Sequence, residues 1–337
     1  METVIQRYWQ QVRRLTNRNL PVILFSLISS LTVACTQGVS KGEINEGYVT
    51  TQDGVRIHYR SIGEGANVLV VPAALYLSQE LAPLAVNRRV VFFDPRNRGK
   101  SDASPLADIS LDSQIADLEL LRKELEIEQM ALLGWSIFGM EMAVYSLRYP
   151  QHVTRLIQVS SIPPATSIMQ QYLKEYAEVR KGRLNQSAID ELNRQAEEGV
   201  YDGRPQDLCR RSNSVYLRAS FEKNDRMDRV PDTCVYANEW RENLWPYFDA
   251  LEQNYGEYDW RPSLKQSRIP RLIIHGREDA FPLAGAYAWT KGFPQARLKV
   301  LSPAGHFPFI EQPQGFFAAV ETFLQGEWPE GSEAVND

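Results

Sequence analysis

The sequence predicts an α/β fold: a mostly parallel sheet with helices on both faces and a helical cap inserted into it. Three observations carry that reading. Short, nearly continuous apolar runs recur along the chain, as strands buried on both faces of a covered sheet require. Segments with helical spacing separate the later runs, the alternation that gives parallel strands with right-handed crossovers. One long stretch, 163–264, is rich in Glu, Arg, Gln and Tyr and offers no buried strand, although both its flanks read as parts of one sheet.

The elements follow in order. Tyr48–Thr51 and Val55–Tyr59 flank Asp53-Gly54, a two-residue hairpin signal that adds an antiparallel edge. Buried strands are predicted at Asn67–Val71, Val90–Phe93, Met130–Leu133, Ile157–Val159, Leu272–Ile274 and Leu298–Val300. Ser110 or Asp112 caps a helix that carries Ile115, Leu118, Leu121 and Leu125 on one face. Gly139–Tyr149 reads as a helix stopped by Pro150. Ile168–Arg180 and Ala188–Glu198 are helical segments of the insertion, and Phe316, Phe317, Val320 and Phe323 mark a last amphipathic helix. The 337 residues thus divide into a leader (1–45), two core halves (46–162 and 265–328), a cap (163–264) and a polar tail (329–337).

The leader has its own logic. Arg7, Arg13, Arg14 and Arg18 precede an apolar stretch from Leu20 to Ala34, and Cys35 follows directly. A basic segment, a short apolar segment and a small residue before a cleavage point are the layout of an export signal. The stretch is short for a spanning helix, which needs about 20 residues. Leu31-Thr32-Val33-Ala34-Cys35 also resembles the lipobox of bacterial lipoproteins, which implies lipidation at Cys35 and an exported, membrane-tethered protein; Thr32 stands where Leu is commonest. An ordinary signal peptide or an uncleaved anchor is the alternative. Cys209 and Cys234 remain, without metal-ligand spacing; in an oxidising compartment they can pair or stay as separate thiols. Apolar residues make up 43%, charged residues 23% and the net charge is −5, with no clustered basic face, so a nucleic-acid partner is not expected.

Gly134-Trp135-Ser136 lies directly after one predicted strand and before the next helix, the setting of a nucleophile elbow that lifts a Ser hydroxyl above a sheet. Small residues are needed on either side, because strand and helix pack closely there. Gly134 meets this; at 138 stands Phe138, with Gly139 one place later. Asp279 follows the strand Leu272–Ile274, and His306 lies in the loop after the next strand. A Ser hydroxyl needs an imidazole to take its proton and a carboxylate to hold that imidazole in one tautomer. Ser136, His306 and Asp279 are therefore the candidate triad, with Glu278 as a rival acid; His58, His152 and His275 lack the loop context.

In these motifs the chain resembles the capped α/β-hydrolase fold family, and within it the prolyl-aminopeptidase-like branch. Asp94-Pro95-Arg96-Asn97-Arg98-Gly99-Lys100-Ser101-Asp102 is similar to the family's D-x-R-G-x-G-x-S turn, and Gly134–Gly139, His275–Asp279 and Gly305-His306-Phe307-Pro308 complete the likeness over residues 46–326. The resemblance implies an acyl-transfer hydrolase acting without a cofactor on an ester or small amide, including the N-terminal residue of a short peptide. One departure bears on the site. Where the family has His-Gly after the first buried parallel strand, this chain has Pro72-Ala73-Ala74-Leu75. Backbone donors do not require Gly, so Ile137 and Ala74 (less so Ala73) supply the oxyanion N–H groups. Trp135 is a candidate substrate contact. Glu239 or Glu242 could receive a substrate amine, and Trp240, Trp245, Tyr247 and Phe248 either shape a pocket or pack the cap. No metal site is implied. The alternative function is a fold member that binds a small molecule without turning it over.

Overall fold

The computed structural model describes residues 44–291 and 293–335. Eight strands form one sheet in the spatial order β1-β2-β4-β3-β5-β6-β7-β8. They are β1 (Asn45–Thr50), β2 (Arg56–Ile62), β3 (Val68–Pro72), β4 (Arg89–Phe93), β5 (Met130–Trp135), β6 (Val153–Val159), β7 (Arg271–Gly276) and β8 (Ala296–Leu301). β1 and β2 pair antiparallel, β2 meets β4 antiparallel, and every other pairing is parallel. The pleat explains the apolar runs. Val70, Val91, Leu132 and Ile273 feed a core on one face, while Leu69, Val71, Val90, Phe92, Leu133 and Ile274 feed a core on the other. Each such side chain contributes about 1.5–3 kcal/mol on burial.

Helices α1 (Ala74–Leu77), α2 (Leu111–Glu124) and α3 (Ile137–Arg148) follow β3, β4 and β5. Ser110 is the cap of α2: its side chain accepts from the Ser113 N–H, and Ser113 reciprocates. Between β6 and β7 the chain runs through α4 (Thr166–Arg183), α5 (Gln186–Glu197), α6 (Pro205–Tyr216), α7 (Arg241–Tyr255) and α8 (Arg261–Gln266). The two ends of this excursion are tied together: Trp260 N–H donates to the Pro164 carbonyl and Thr166 N–H to that of Tyr258, both at 2.9 Å. Helices α9 (Leu283–Ala288), α10 (Pro308–Glu311) and α11 (Pro313–Leu324) complete the chain, α11 burying Phe316, Val320 and Phe323.

Cys209 in α6 and Cys234 are joined by a disulfide across a separation of 25 residues. Closing a loop of that size contributes roughly 3 kcal/mol. The cap aromatics mostly pack. Tyr247 is fully buried, its hydroxyl 3.2 Å from Gln114 Nε2, and the Trp240 indole donates to the Cys234 carbonyl. A buried ion pair joins cap to core, Arg98 Nε and Nη2 each lying 2.9 Å from the Glu239 carboxylate. The expected leader, with Cys35, lies outside the described residues. Among the described residues no helix is long and apolar enough to cross a membrane.

Candidate active site

β5 runs directly into α3, and Ser136 at the junction has φ 58° and ψ −127°. For a residue with a Cβ that conformation is strained, and it persists only where the surroundings enforce it. One restraint is the Ser136 N–H, which donates to the Val159 carbonyl at 2.9 Å. Close packing is another. A Cβ on Gly134 would lie 2.3 Å from the Phe138 carbonyl oxygen, and one on Gly139 would lie 2.7 Å from Ser161 Cβ. The elbow's need for small residues therefore falls on 134 and 139. Position 138 is free to carry bulk: Phe138 is buried against Ala73 and Leu75 of the Pro72 loop. The two departures from the family pattern meet in one apolar cluster.

β7 and β8 are parallel neighbours of the same sheet, so the loops after them emerge at the same edge as the elbow. Asp279 stands just past β7 and His306 past β8, with His306 Nδ1 2.9 Å from Asp279 Oδ2. The other carboxylate oxygen accepts the Phe281 N–H at 2.9 Å. Burial works against the Asp279 charge, yet the His306 ring and the hydrogen bonds hold its carboxyl below the usual carboxylate range. Glu278 has a different task. Its carboxylate takes the Ser302 hydroxyl and the Ala304 N–H, both at 2.8 Å, and so anchors the His306 loop, not the ring. His275 is fully buried, with Nε2 3.0 Å from the Phe281 carbonyl oxygen. Burial drives it toward the neutral form, against the pull of Asp279.

With Nδ1 on the carboxylate, Nε2 is the ring nitrogen left for a serine proton. Among the described residues no hydrogen bond joins the Ser136 hydroxyl to the ring; such contacts commonly tighten only with substrate in place. The imidazole is walled by Phe281 at 4.7 Å and Trp135 at 5.1 Å between ring centroids. Trp135 braces the histidine further, its buried indole N–H donating to the His306 carbonyl at 2.8 Å. The indole N–H of Trp135, the expected substrate contact, is thereby engaged with the His306 loop.

Ala74 and Ile137 are the first residues of α1 and α3, positions whose N–H groups have no partner within the helix. Ala73 before them takes a left-handed turn with φ 65°. The Leu75 N–H donates to Asp94 Oδ1 at 2.9 Å, which fixes the loop to the Asp94–Asp102 turn. Of the two expected amine acceptors, Glu239 is held by Arg98 and the Gly99 N–H, and Glu242 is exposed. Sequence reasoning missed Glu311. Its buried carboxylate accepts backbone N–H groups from Gly305, Phe307 and Glu222, the last from the cap. Glu222 lies 89 residues away in sequence, so no local pattern signals the contact.

Comparison with known proteins agrees with this architecture. A relative from Cupriavidus pinatubonensis, a 2-hydroxy-6-oxononadienedioate/2-hydroxy-6-oxononatrienedioate hydrolase, is 26% identical over 292 residues, covering 82% of this chain and 94% of its own. A proline iminopeptidase from Mycobacterium smegmatis superposes with a TM-score of 0.63 at 20% identity, over 83% of this chain and 98% of that one. An esterase from Exiguobacterium antarcticum does so with a TM-score of 0.61 at 19% identity, over 83% and 99%. The model of the alpha/beta hydrolase fold family matches residues 71–313. The chain belongs to the α/β-hydrolase fold family.

Proposed function

We propose that this chain is a serine hydrolase that cleaves carboxylic esters through an acyl-enzyme. The observation that carries the reading is the short contact between His306 Nδ1 and the buried Asp279 carboxylate, beside a serine held at an elbow. Ser136 Oγ attacks the carbonyl carbon while His306 Nε2 takes its proton. The Ile137 and Ala74 N–H groups receive the oxyanion, and each such donor is worth roughly 10²–10³ in kcat. His306 then protonates the departing alkoxide. Water repeats the sequence to release the acid and free Ser136.

Esters are favoured over N-terminal amides for a specific reason. A free substrate amine wants an unpaired carboxylate, and Glu239 is neutralised by Arg98 while Glu242 faces solvent. The Cupriavidus relative adds 2-hydroxy-6-oxononadienedioate to the substrates worth testing. We further propose export with a lipid on Cys35; the cap disulfide supports an oxidising compartment. Cys35→Ser should then move the full-length protein from the membrane to the soluble fraction, and unchanged membrane partition would overturn the lipid anchor.

The test of the chemistry is intact-mass analysis after exposure to a fluorophosphonate. One adduct on the wild type and none on Ser136→Ala is expected. No adduct on either folded protein would sink the catalytic reading in favour of a binding protein. With the adduct in hand, aryl esters, amino-acid anilides and the dienedioate rank the substrates.

A further inference from the structure

The His306 loop and one segment of the cap are held by the same carboxylate. Glu311, at the end of α10, accepts the Gly305 N–H on Oε1 at 2.8 Å and the Phe307 N–H on the same oxygen at 3.3 Å. Its Oε2 accepts the Glu222 N–H of the cap at 2.7 Å. Between these two grips, the His306 N–H donates to the Ser220 carbonyl, also of the cap, at 2.7 Å. All three N–H groups from 305 to 307 are thus bound, two to Glu311 and one to the cap. The approach is close: a Cβ on Gly305 would lie 2.5 Å from Ser220 O and 3.0 Å from Glu222 N. Phe221 stacks on Phe307 with ring centroids 4.7 Å apart and planes 10° apart.

We infer that Glu311 is a positioning residue that locks the His306 loop to the cap segment Ser220–Glu222, so that the imidazole is in working register only while the cap is docked. The inference rests on the triad reading. Only a carboxylate suits three converging N–H donors, because both its oxygens accept. A carboxamide or a protonated acid turns a donor toward one of them, and either the loop or the cap loses its partner.

Burial pushes the Glu311 carboxyl up to about 7, with the Asp279 charge adding to it and the Glu222, Gly305 and Phe307 N–H groups pulling the other way. The charged group acting on it is Asp279 from the loop after β7, whose Oδ2 holds His306, while Arg226 of the cap donates to the neighbouring Ile310 carbonyl. The Glu222 carboxylate lies toward Lys223 instead. A folded-state value raised above that of the unfolded chain makes ionisation costly, so stability declines as pH rises through about 7. The lock forms over the same interval. Position and stability therefore run in opposite directions with pH, which a purely structural role does not produce.

The experiment measures the rate of fluorophosphonate labelling of Ser136 from pH 6 to pH 9 in the wild type and Glu311→Gln, with melting temperatures alongside. At pH 8 the Gln variant should label about 10–100-fold more slowly, the scale of a small misplacement of a catalytic group, without a matching loss of melting temperature. At pH 6, where about nine-tenths of the wild type is itself protonated, the gap should narrow to about 2–10-fold. Phe221→Ala, which loosens the cap segment without touching Glu311, should also slow labelling and gives a second route should the Gln variant fail to fold. Equal rates in a labelled wild type and Glu311→Gln, a deficit that is the same at every pH, or a normal rate in Phe221→Ala would each overturn this inference alone. A wild type that takes no label would overturn the triad reading and the inference with it.

Discussion

On one side of the candidate site, side-chain carboxylates hold the histidine and its loop: Asp279 takes the ring of His306, Glu278 takes the Ala304 N–H, and Glu311 takes those of Gly305 and Phe307. On the other side, the Pro72–Leu75 loop is packed as an apolar wedge, with Ala73 and Leu75 against Phe138, and is tied from the Leu75 N–H to Asp94. The first side carries Asp279 and Gly305-His306-Phe307-Pro308, the segments in which the chain resembles the family. The second departs from it at Pro72, Ala73 and Phe138. The contrast has a physical basis. Where a side chain performs the chemistry, the residue type is dictated by its pKa and donor set. Where a backbone N–H performs it, the residue type is dictated only by what keeps the backbone in place, and apolar packing serves as well as glycine.

The strongest way to break this comparison is Asp279→Asn, which keeps the shape of the polar side and removes its charge. We expect kcat to fall on the order of 10⁴-fold with the fold intact, the cost of leaving the imidazole in the wrong tautomer. A loss under tenfold would mean that another group orients His306. Phe138→Ala comes next and tests the apolar side. Removing a buried ring should cost roughly 3 kcal/mol in urea unfolding, with a smaller loss of kcat as the Ala73–Leu75 loop slackens. Unchanged stability would show that the wedge is not what holds the loop, and a gain in activity would mark Phe138 as an obstruction.

The smallest effect concerns Glu141 in α3, the buried acid behind the elbow, whose Oε1 accepts the Tyr255 hydroxyl. Burial raises its carboxyl to about 8, with the Tyr255 hydrogen bond opposing. Its stabilising protonated form is complete below the unfolded-state value and is lost as pH rises through about 8. Glu141→Gln should therefore match the wild type within about 0.5 kcal/mol at pH 5 and exceed it by about 1 kcal/mol or more at pH 9. Urea midpoints at pH 5, 7 and 9 check this; a constant difference across them would show that Glu141 does not titrate in that range.

The sheet was legible because its strands are buried on both faces, so Val68–Pro72, Arg89–Phe93 and Arg271–Gly276 announce themselves as apolar runs. The edge bearing Ser136, Asp279 and His306 was legible for a related reason, since each residue follows a strand end. The cap was harder to read. Helix α7 carries Pro246 in its interior and owes its form to the burial of Tyr247, Ala250 and Leu251 against the core, which no local propensity reveals. The Glu311 grip was illegible for the same reason on a larger scale, because it joins segments that sequence keeps far apart. The small-residue rule at the elbow misled by one position: it is a rule about interatomic distance, and Gly139 satisfies it where Phe138 was expected to offend.

The carbonyl of Ser220 accepts the N–H of His306. The insertion between β6 and β7 is therefore no interchangeable cassette. A chimera that exchanges this roof for a relative's, joined at the strand ends, would keep Ser136, Asp279 and His306 yet deprive the histidine's own backbone of its acceptor. Any transplant has to carry residues 220–222 across the seam, or rebuild them on the new roof, before it can inherit the chemistry beneath.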